Sequence, residues 1–195
     1  ILKMKILVTG SYGQLGRSLL NSLKSNFEIF WTGRNIPLSE NGFYLDICDR
    51  IHLKGLIRLH NPDVLINLAA LTNVDFCEKN SDLAWEINTN GVRNICDTFK
   101  GKVVQLSTDY VFDGKNGPYV EEDEVSPLSV YGKTKLEAEN IVSSHNSDNL
   151  IIRGNVLYDN CLSSRASFLN WVVQSLKGKN PINVVDDQIN NPTWA

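Results

Sequence analysis

This chain of 195 residues has one methionine, three histidines and four cysteines, and no two cysteines form a C-x-x-C pair. That scatter lacks the spacing of a metal site, so no metal is expected. Cys48, Cys77, Cys96 and Cys161 read as reduced thiols of a cytoplasmic protein. Positive charge is also scarce. Lys and Arg number 19 against 22 Asp and Glu, for a net charge of −3, without the basic excess that nucleic-acid binding needs. No apolar run approaches membrane-spanning length, and no signal-peptide pattern precedes the first apolar segment, so no membrane partner is expected. Met4 stands directly before that segment and reads as the native start. Repeats, low-complexity tracts and long linkers are missing too. The acidic run Glu121–Glu124 reads as a solvated loop. What remains is the organisation of one α/β domain with a substantial core.

Short apolar runs alternate with helical periodicity. Strands are predicted at Met4–Thr9, Glu28–Thr32, Val64–Asn67, Lys102–Ser107, Asn149–Arg153 and Ile182–Val185. Helices are predicted near Gln14–Lys24, Arg50–Leu59, Asp82–Phe99, Val130–Ser143 and Phe168–Lys177. Repeated β-α-β order with right-handed crossovers gives a doubly wound parallel sheet, a Rossmann-type fold with its ligand at the carboxyl ends of the strands. The stripe Phe168, Leu169, Trp171, Val172, Val173 and Leu176 suits core packing, or alternatively a helix face shared by two copies of the chain.

The first strand runs into Gly10, Gly13 and Gly16, and a helix starts among them. A strand that feeds a helix N-terminus through glycines presents free N–H groups and the positive end of a dipole to a pyrophosphate. The spacing is G-x-x-G-x-x-G, a variant of the commoner G-x-G-x-x-G. After the second strand stands Arg34, where an acidic residue would bind the ribose hydroxyl of NAD. A guanidinium suits a 2′-phosphate, so NADPH is favoured over NADH. Tyr131 and Lys135 lie four apart on one face of a predicted helix that Ser126-Pro127 or Ser129 can cap. A lysine beside a tyrosine favours the phenolate and lowers its pKa towards acid–base range. Thr108 sits at the carboxyl end of a strand, within reach of the same substrate oxygen.

Together, Gly10-x-x-Gly13-x-x-Gly16, Thr108 and Tyr131-x-x-x-Lys135 resemble the extended short-chain dehydrogenase/reductase superfamily. The stretches Asn67–Asp75, Ser107–Gly114, Tyr131–Lys135 and Asp186–Ala195 resemble, more narrowly, the dTDP-4-dehydrorhamnose reductase family. The resemblance implies an oxidoreductase of dTDP-rhamnose biosynthesis that reduces the 4-keto group of a deoxysugar nucleotide with NADPH. It assigns catalysis to Thr108, Tyr131 and Lys135, with Tyr131 protonating the C4 oxygen and Lys135 on the nicotinamide ribose. Gly10, Gly13, Gln14, Leu15 and Gly16 are then expected at the pyrophosphate, and Asp46 and Ile47 at the adenine. Ala69, Ala70 and Thr72 are expected beside the ribose and nicotinamide, and Val74, Asp75 and Asp109 at the sugar nucleotide. Two positions depart from the family pattern. Val156 stands where a tryptophan shapes the sugar pocket, and Asn190 replaces a glycine whose left-handed angles asparagine tolerates.

The resemblance also implies about a hundred further residues of a small substrate lobe. Residues 1–158 are therefore read as the dinucleotide-binding domain and 159–195 as an incomplete lobe, with 159–179 and 183–195 expected to be poorly ordered. Three alternatives stay open. A 4,6-dehydratase normally has Asp-Glu after the threonine, where this chain has Asp109-Tyr110. A 4-epimerase fits poorly with Arg34 and with Ser107–Gly114. A non-catalytic NADP-binding subunit, like the β subunit of methionine adenosyltransferase, shares the same motifs.

Overall fold

A computed structural model of the chain describes residues 3–37, 41–158 and 168–195. Strands β1 (Lys5–Thr9), β2 (Glu28–Gly33), β3 (Phe43–Tyr44), β4 (Val64–Asn67), β5 (Lys102–Thr108) and β6 (Leu150–Gly154) form one sheet, ordered β3-β2-β1-β4-β5-β6. Every pairing in it is parallel. The order reverses between β1 and β4, and such a switch point opens a crevice beyond the carboxyl ends of the strands. Register brings those ends level: Thr9 pairs with Asn67, and Thr108 with Gly154.

The helices between strands are α1 (Gln14–Leu23), α2 (Arg50–His60), α3 (Val74–Lys79), α4 (Ser81–Trp85), α5 (Gly91–Thr98) and α6 (Val130–His145). On one face of the sheet Leu7, Leu65 and Val103, from three adjacent strands, pack against Leu53 and Leu56 of α2 and Ile95 of α5. A second cluster joins Val92 and Cys96 of α5 to Ala138, Ile141 and Val142 of α6. A third holds Cys77, Ala84 and Tyr131, so the proposed acid is itself part of the packing. Cys48, Cys77 and Cys96 are free thiols, and Cys161 lies outside the described residues.

The structure corrects several expectations. The helix predicted over Asp82–Phe99 is interrupted by one π turn at Glu86–Asn90. There Asn88, buried, accepts from the Leu71 N–H at 2.8 Å and donates to the Thr134 hydroxyl at 3.1 Å. The wider turn aims this amide between a loop and α6, which 3.6-residue periodicity does not reveal. No strand forms at Ile182–Val185: that segment has no ladder partner, and Val184 and Val185 are exposed. Phe168–Lys177 is a helix (α7) as predicted, but none of its residues is buried and none enters the three clusters, so its apolar stripe is not core. Asn190 does not adopt a positive φ; among the described residues only Asn61 and Lys179 do so outside glycine. Outside the main sheet, strands β7 (Leu157–Tyr158) and β8 (Thr193–Trp194) pair in parallel. Among the described residues no helix is long and apolar enough to cross a membrane.

Candidate active site

One end of the crevice is made of backbone. As β1 ends, Gly10 turns with φ +67°, and a Cβ there would lie 2.6 Å from the Ala69 nitrogen on the neighbouring strand end. A Cβ at Gly16 would lie 2.3 Å from the Ser11 carbonyl oxygen, so glycine lets α1 start directly against the turn. Gly13 is the N-cap of α1 and offers no side-chain cap, and the first turn carries no acidic residue. The start of α1 thus carries neither a side-chain cap nor a negative charge, and an incoming anion there meets the positive end of the helix dipole. At the far side Arg34 lies 3.8 Å from Asp46, whose other oxygen accepts from the Cys48 N–H at 3.0 Å. Burial and Asp46 push the Cys48 thiol up to about 12, so it stays protonated beside this pair. A cradle that any Cβ would fill, an uncapped helix start and an exposed guanidinium fit a phosphorylated dinucleotide.

The other end is made of side chains. Thr108 closes β5 and is buried. Its hydroxyl accepts from the Tyr110 N–H at 3.2 Å and donates to Asp109 Oδ1 at 3.1 Å. Tyr131 is held in place from its own helix. Ser129 caps α6 by accepting from the Gly132 N–H at 3.0 Å, which sets Tyr131 in the first turn. Asn88 and Thr89 of the π turn both grip Thr134, one turn further along. The Tyr131 ring meets Tyr110 edge-on, with centroids 5.8 Å apart.

Electrostatics at this end differ from the sequence expectation. Burial pushes the Tyr131 phenol up to about 12, against a hydrogen bond with Thr108 that works in the opposite direction. Burial also raises Asp109. Lys135 does not lower the tyrosine in this arrangement. Its ammonium is buried, donates to the Leu106 carbonyl at 2.6 Å and is pulled down to about 8 by burial, with Glu139 opposing. The four-residue spacing puts both groups on one face, but it does not fix where a long lysine chain ends.

A continuous cleft of about 1040 Å³ joins the two ends. Gly10, Gly13, Gln14, Leu15, Gly16, Arg34, Asp46, Ile47, Ala69, Ala70, Thr72, Val74, Thr108, Asp109 and Tyr131 all line it. Lys135 lies behind its wall, and Asp75 is exposed in the first turn of α3, off the lining. Tyr12, Arg17, Asn35, Tyr110 and, around Val156, Gly154, Asn155 and Leu157 also line the cleft, although their sequence positions assign them no role. Tyr12 and Arg17 occupy variable positions among or just after the motif glycines. The last run follows the carboxyl end of β6, where the strand-end rule would have found it. Val156 lies within that run, so the departure from the family tryptophan falls on the cleft itself.

The sequence matches the RmlD substrate binding domain over residues 4–195. It is 34% identical to a dTDP-4-dehydrorhamnose reductase of Aggregatibacter actinomycetemcomitans, covering 98% of this chain and 63% of that one. Its fold superimposes on the dTDP-4-dehydrorhamnose reductase of Bacillus anthracis, solved in complex with NADP, with a TM-score of 0.88. The identity is 31%, with 99% of this chain and 66% of that one covered. It is also 32% identical to methionine adenosyltransferase 2 subunit beta of Danio rerio, over 79% of this chain and 48% of that protein. The chain thus spans a little under two thirds of the reductases it matches. With the sheet order, the glycine turn and the Thr108–Tyr131 pair all in place, the chain belongs to the RmlD substrate binding domain family.

Proposed function

We propose that this chain is the dinucleotide-binding part of an NADPH-dependent reductase that converts the 4-keto group of a deoxysugar nucleotide, dTDP-4-dehydrorhamnose, to the alcohol of dTDP-L-rhamnose. The observation that carries this reading is one cleft with an anion cradle at one end and both Thr108 and Tyr131 lining the other. NADPH, when bound, supplies the hydride. Gly10, Gly13, Gln14, Leu15 and Gly16 hold its pyrophosphate, and Arg34 its 2′-phosphate. Asp46 and Ile47 flank the adenine, and Ala69, Ala70 and Thr72 the ribose and nicotinamide. Tyr131 is a protonated phenol at neutral pH, all the more so for its burial, and it gives its proton to the C4 oxygen as negative charge develops there. Thr108 turns the hydroxyl proton that it otherwise gives to Asp109 towards the same oxygen and fixes the approach of the phenol. Lys135 swings from the Leu106 carbonyl to the nicotinamide ribose, where its charge eases proton loss from Tyr131. Val74 and Asp109 face the sugar nucleotide from the cleft, and Asp75 approaches it from the exposed first turn of α3. Residues 1–158 form the cofactor domain, and 159–195 contribute the beginning of a substrate lobe. The site is built for the cytoplasm, where NADPH is available.

The direct test is oxidation of NADPH by the full-length gene product in the presence of dTDP-4-dehydrorhamnose, with this chain alongside. Sugar-dependent oxidation by the longer form is expected, with NADPH binding alone by the shorter. A second reading, a non-catalytic cofactor-binding subunit, is favoured by the likeness to the β-subunit relative. Copurification with a synthetase, without any sugar-dependent oxidation, would establish it.

A further inference from the structure

A helix packed on a sheet normally turns an apolar stripe inward. On the buried face of α6, Tyr131, Lys135 and Glu139 instead follow one another at four-residue spacing. Tyr131 and Lys135 serve the reaction proposed for the cleft. Glu139 is a carboxylate with 6% of its side chain exposed, and an unpaired charge at such a site is costly. It is closely paired. Arg153 grips both oxygens, Nε 3.0 Å from Oε1 and Nη2 2.7 Å from Oε2, and the Ser107 hydroxyl donates to Oε1. The guanidinium is itself held by the Glu121 carbonyl at 3.0 Å and lies over the Phe112 ring.

Ser107 directly precedes Thr108, and Arg153 directly precedes the Gly154–Leu157 wall of the cleft. One carboxylate thus ties the ends of β5 and β6 to the helix that carries Tyr131. It is also a charge one helical turn from Lys135. Asp109 and Tyr110 from the turn after β5 and Cys77 from α3 face Tyr131, Glu121 faces Arg153 from its loop, and the Leu106 carbonyl faces Lys135. Arg153 is the cation bonded to Glu139, and Lys135 is a second cation one helical turn away, on which Glu139 acts through its field.

We propose that Glu139 is a positioning residue: it locks the ends of β5 and β6 against α6 and, one helical turn from Lys135 on the same buried face, sets the charge of that lysine. The cofactor half of this inference rests on the reading of Lys135 above. Without Glu139, Lys135 loses the charge that opposes its burial and sheds its proton more readily. Without Arg153, Glu139 serves Lys135 alone and the ammonium persists to higher pH.

Denaturation reads this without any ligand. Burial holds Lys135 at about 8 in the folded chain, against an ordinary value of 10.5. Between those values the unfolded chain binds more protons. Stability relative to a Lys135→Met variant therefore rises as pH climbs through that window. Urea melts of each background, with Lys135 or with Met at that position, locate where the rise begins. Glu139→Gln is expected to move its onset down by about one pH unit and Arg153→Met to move it up by about as much, with the double variant near the parent. In NADPH titrations at pH 8, Glu139→Gln should then bind about fivefold more weakly, as the ammonium fraction falls. Shifts of the same sign in both single variants, or none in either, overturn the proposal. Should Glu139→Gln fail to fold, Arg153→Met decides alone: an upward shift supports the linkage, and an unchanged or lower onset refutes it. A Lys135→Met variant that binds NADPH as tightly as the parent overturns the cofactor half, whatever the melts show.

Discussion

The two ends of the cleft are built from different materials. The cradle between β1 and α1 is backbone: a left-handed glycine, a close approach of two strand ends and an uncapped helix. The end beneath α6 is side chain: a phenol, two hydroxyls of different neighbourhood and an ammonium, all buried. Backbone groups carry fixed partial charges that no pH in the working range alters. Buried side chains take their charge from what surrounds them, so their chemistry depends on groups that never touch the substrate. The cradle should therefore fail through shape, and the other end through protonation.

That contrast can be broken most sharply at Tyr131. Tyr131→Phe should lower turnover of the full-length protein by about a thousandfold while NADPH affinity stays within about twofold. A variant that turned over normally would remove the proposed acid. Gly10→Ala attacks the other end. Strain at positive φ and a collision with the β4 end should cost about 2–4 kcal/mol of stability and abolish NADPH binding, as read by urea melts and fluorescence titration. Retained affinity would mean that the turn can relax and that its shape is not the determinant. Arg34→Asp is a finer probe, since it should weaken NADPH by about tenfold more than NADH. Equal losses would show that Arg34, already beside Asp46, does not read the phosphate. Smallest of all, Ser129→Ala should cost about 1 kcal/mol by removing the α6 cap, with a modest drop in turnover and none in cofactor affinity.

The same division decides what could be read in the sequence. Glycines announce themselves by spacing, and β1, β4, α1 and α7 fall within a residue or two of their predicted bounds. The strand-end positions of Thr108 and Arg34 also follow from order alone. The pairings made across long sequence separations do not. Nothing in the α6 pattern reveals that Lys135 points at Leu106, or that Glu139 meets Arg153, because both depend on where β5 and β6 lie beside the helix. The π turn was hidden for a related reason. Its extra residue is fixed by the loop and helix that Asn88 bridges, and the local pattern carries no mark of it. The stripe on α7 misled in the opposite direction, since amphipathicity states that a face can be buried without stating what lies opposite.

The short β7–β8 pairing has a thermodynamic corollary. The Thr193 N–H donates to the Val156 carbonyl at 2.8 Å, so the segment Thr193–Ala195 hangs from a wall of the cleft. The run between the two strands is a closed loop, and its closure entropy is charged against those few hydrogen bonds. A ligand that steadies Val156 shares that cost, and so makes the amides of Thr193 and Ala195 exchange with deuterium more slowly although it touches neither. That segment is in this sense a remote gauge of whether the cleft is filled.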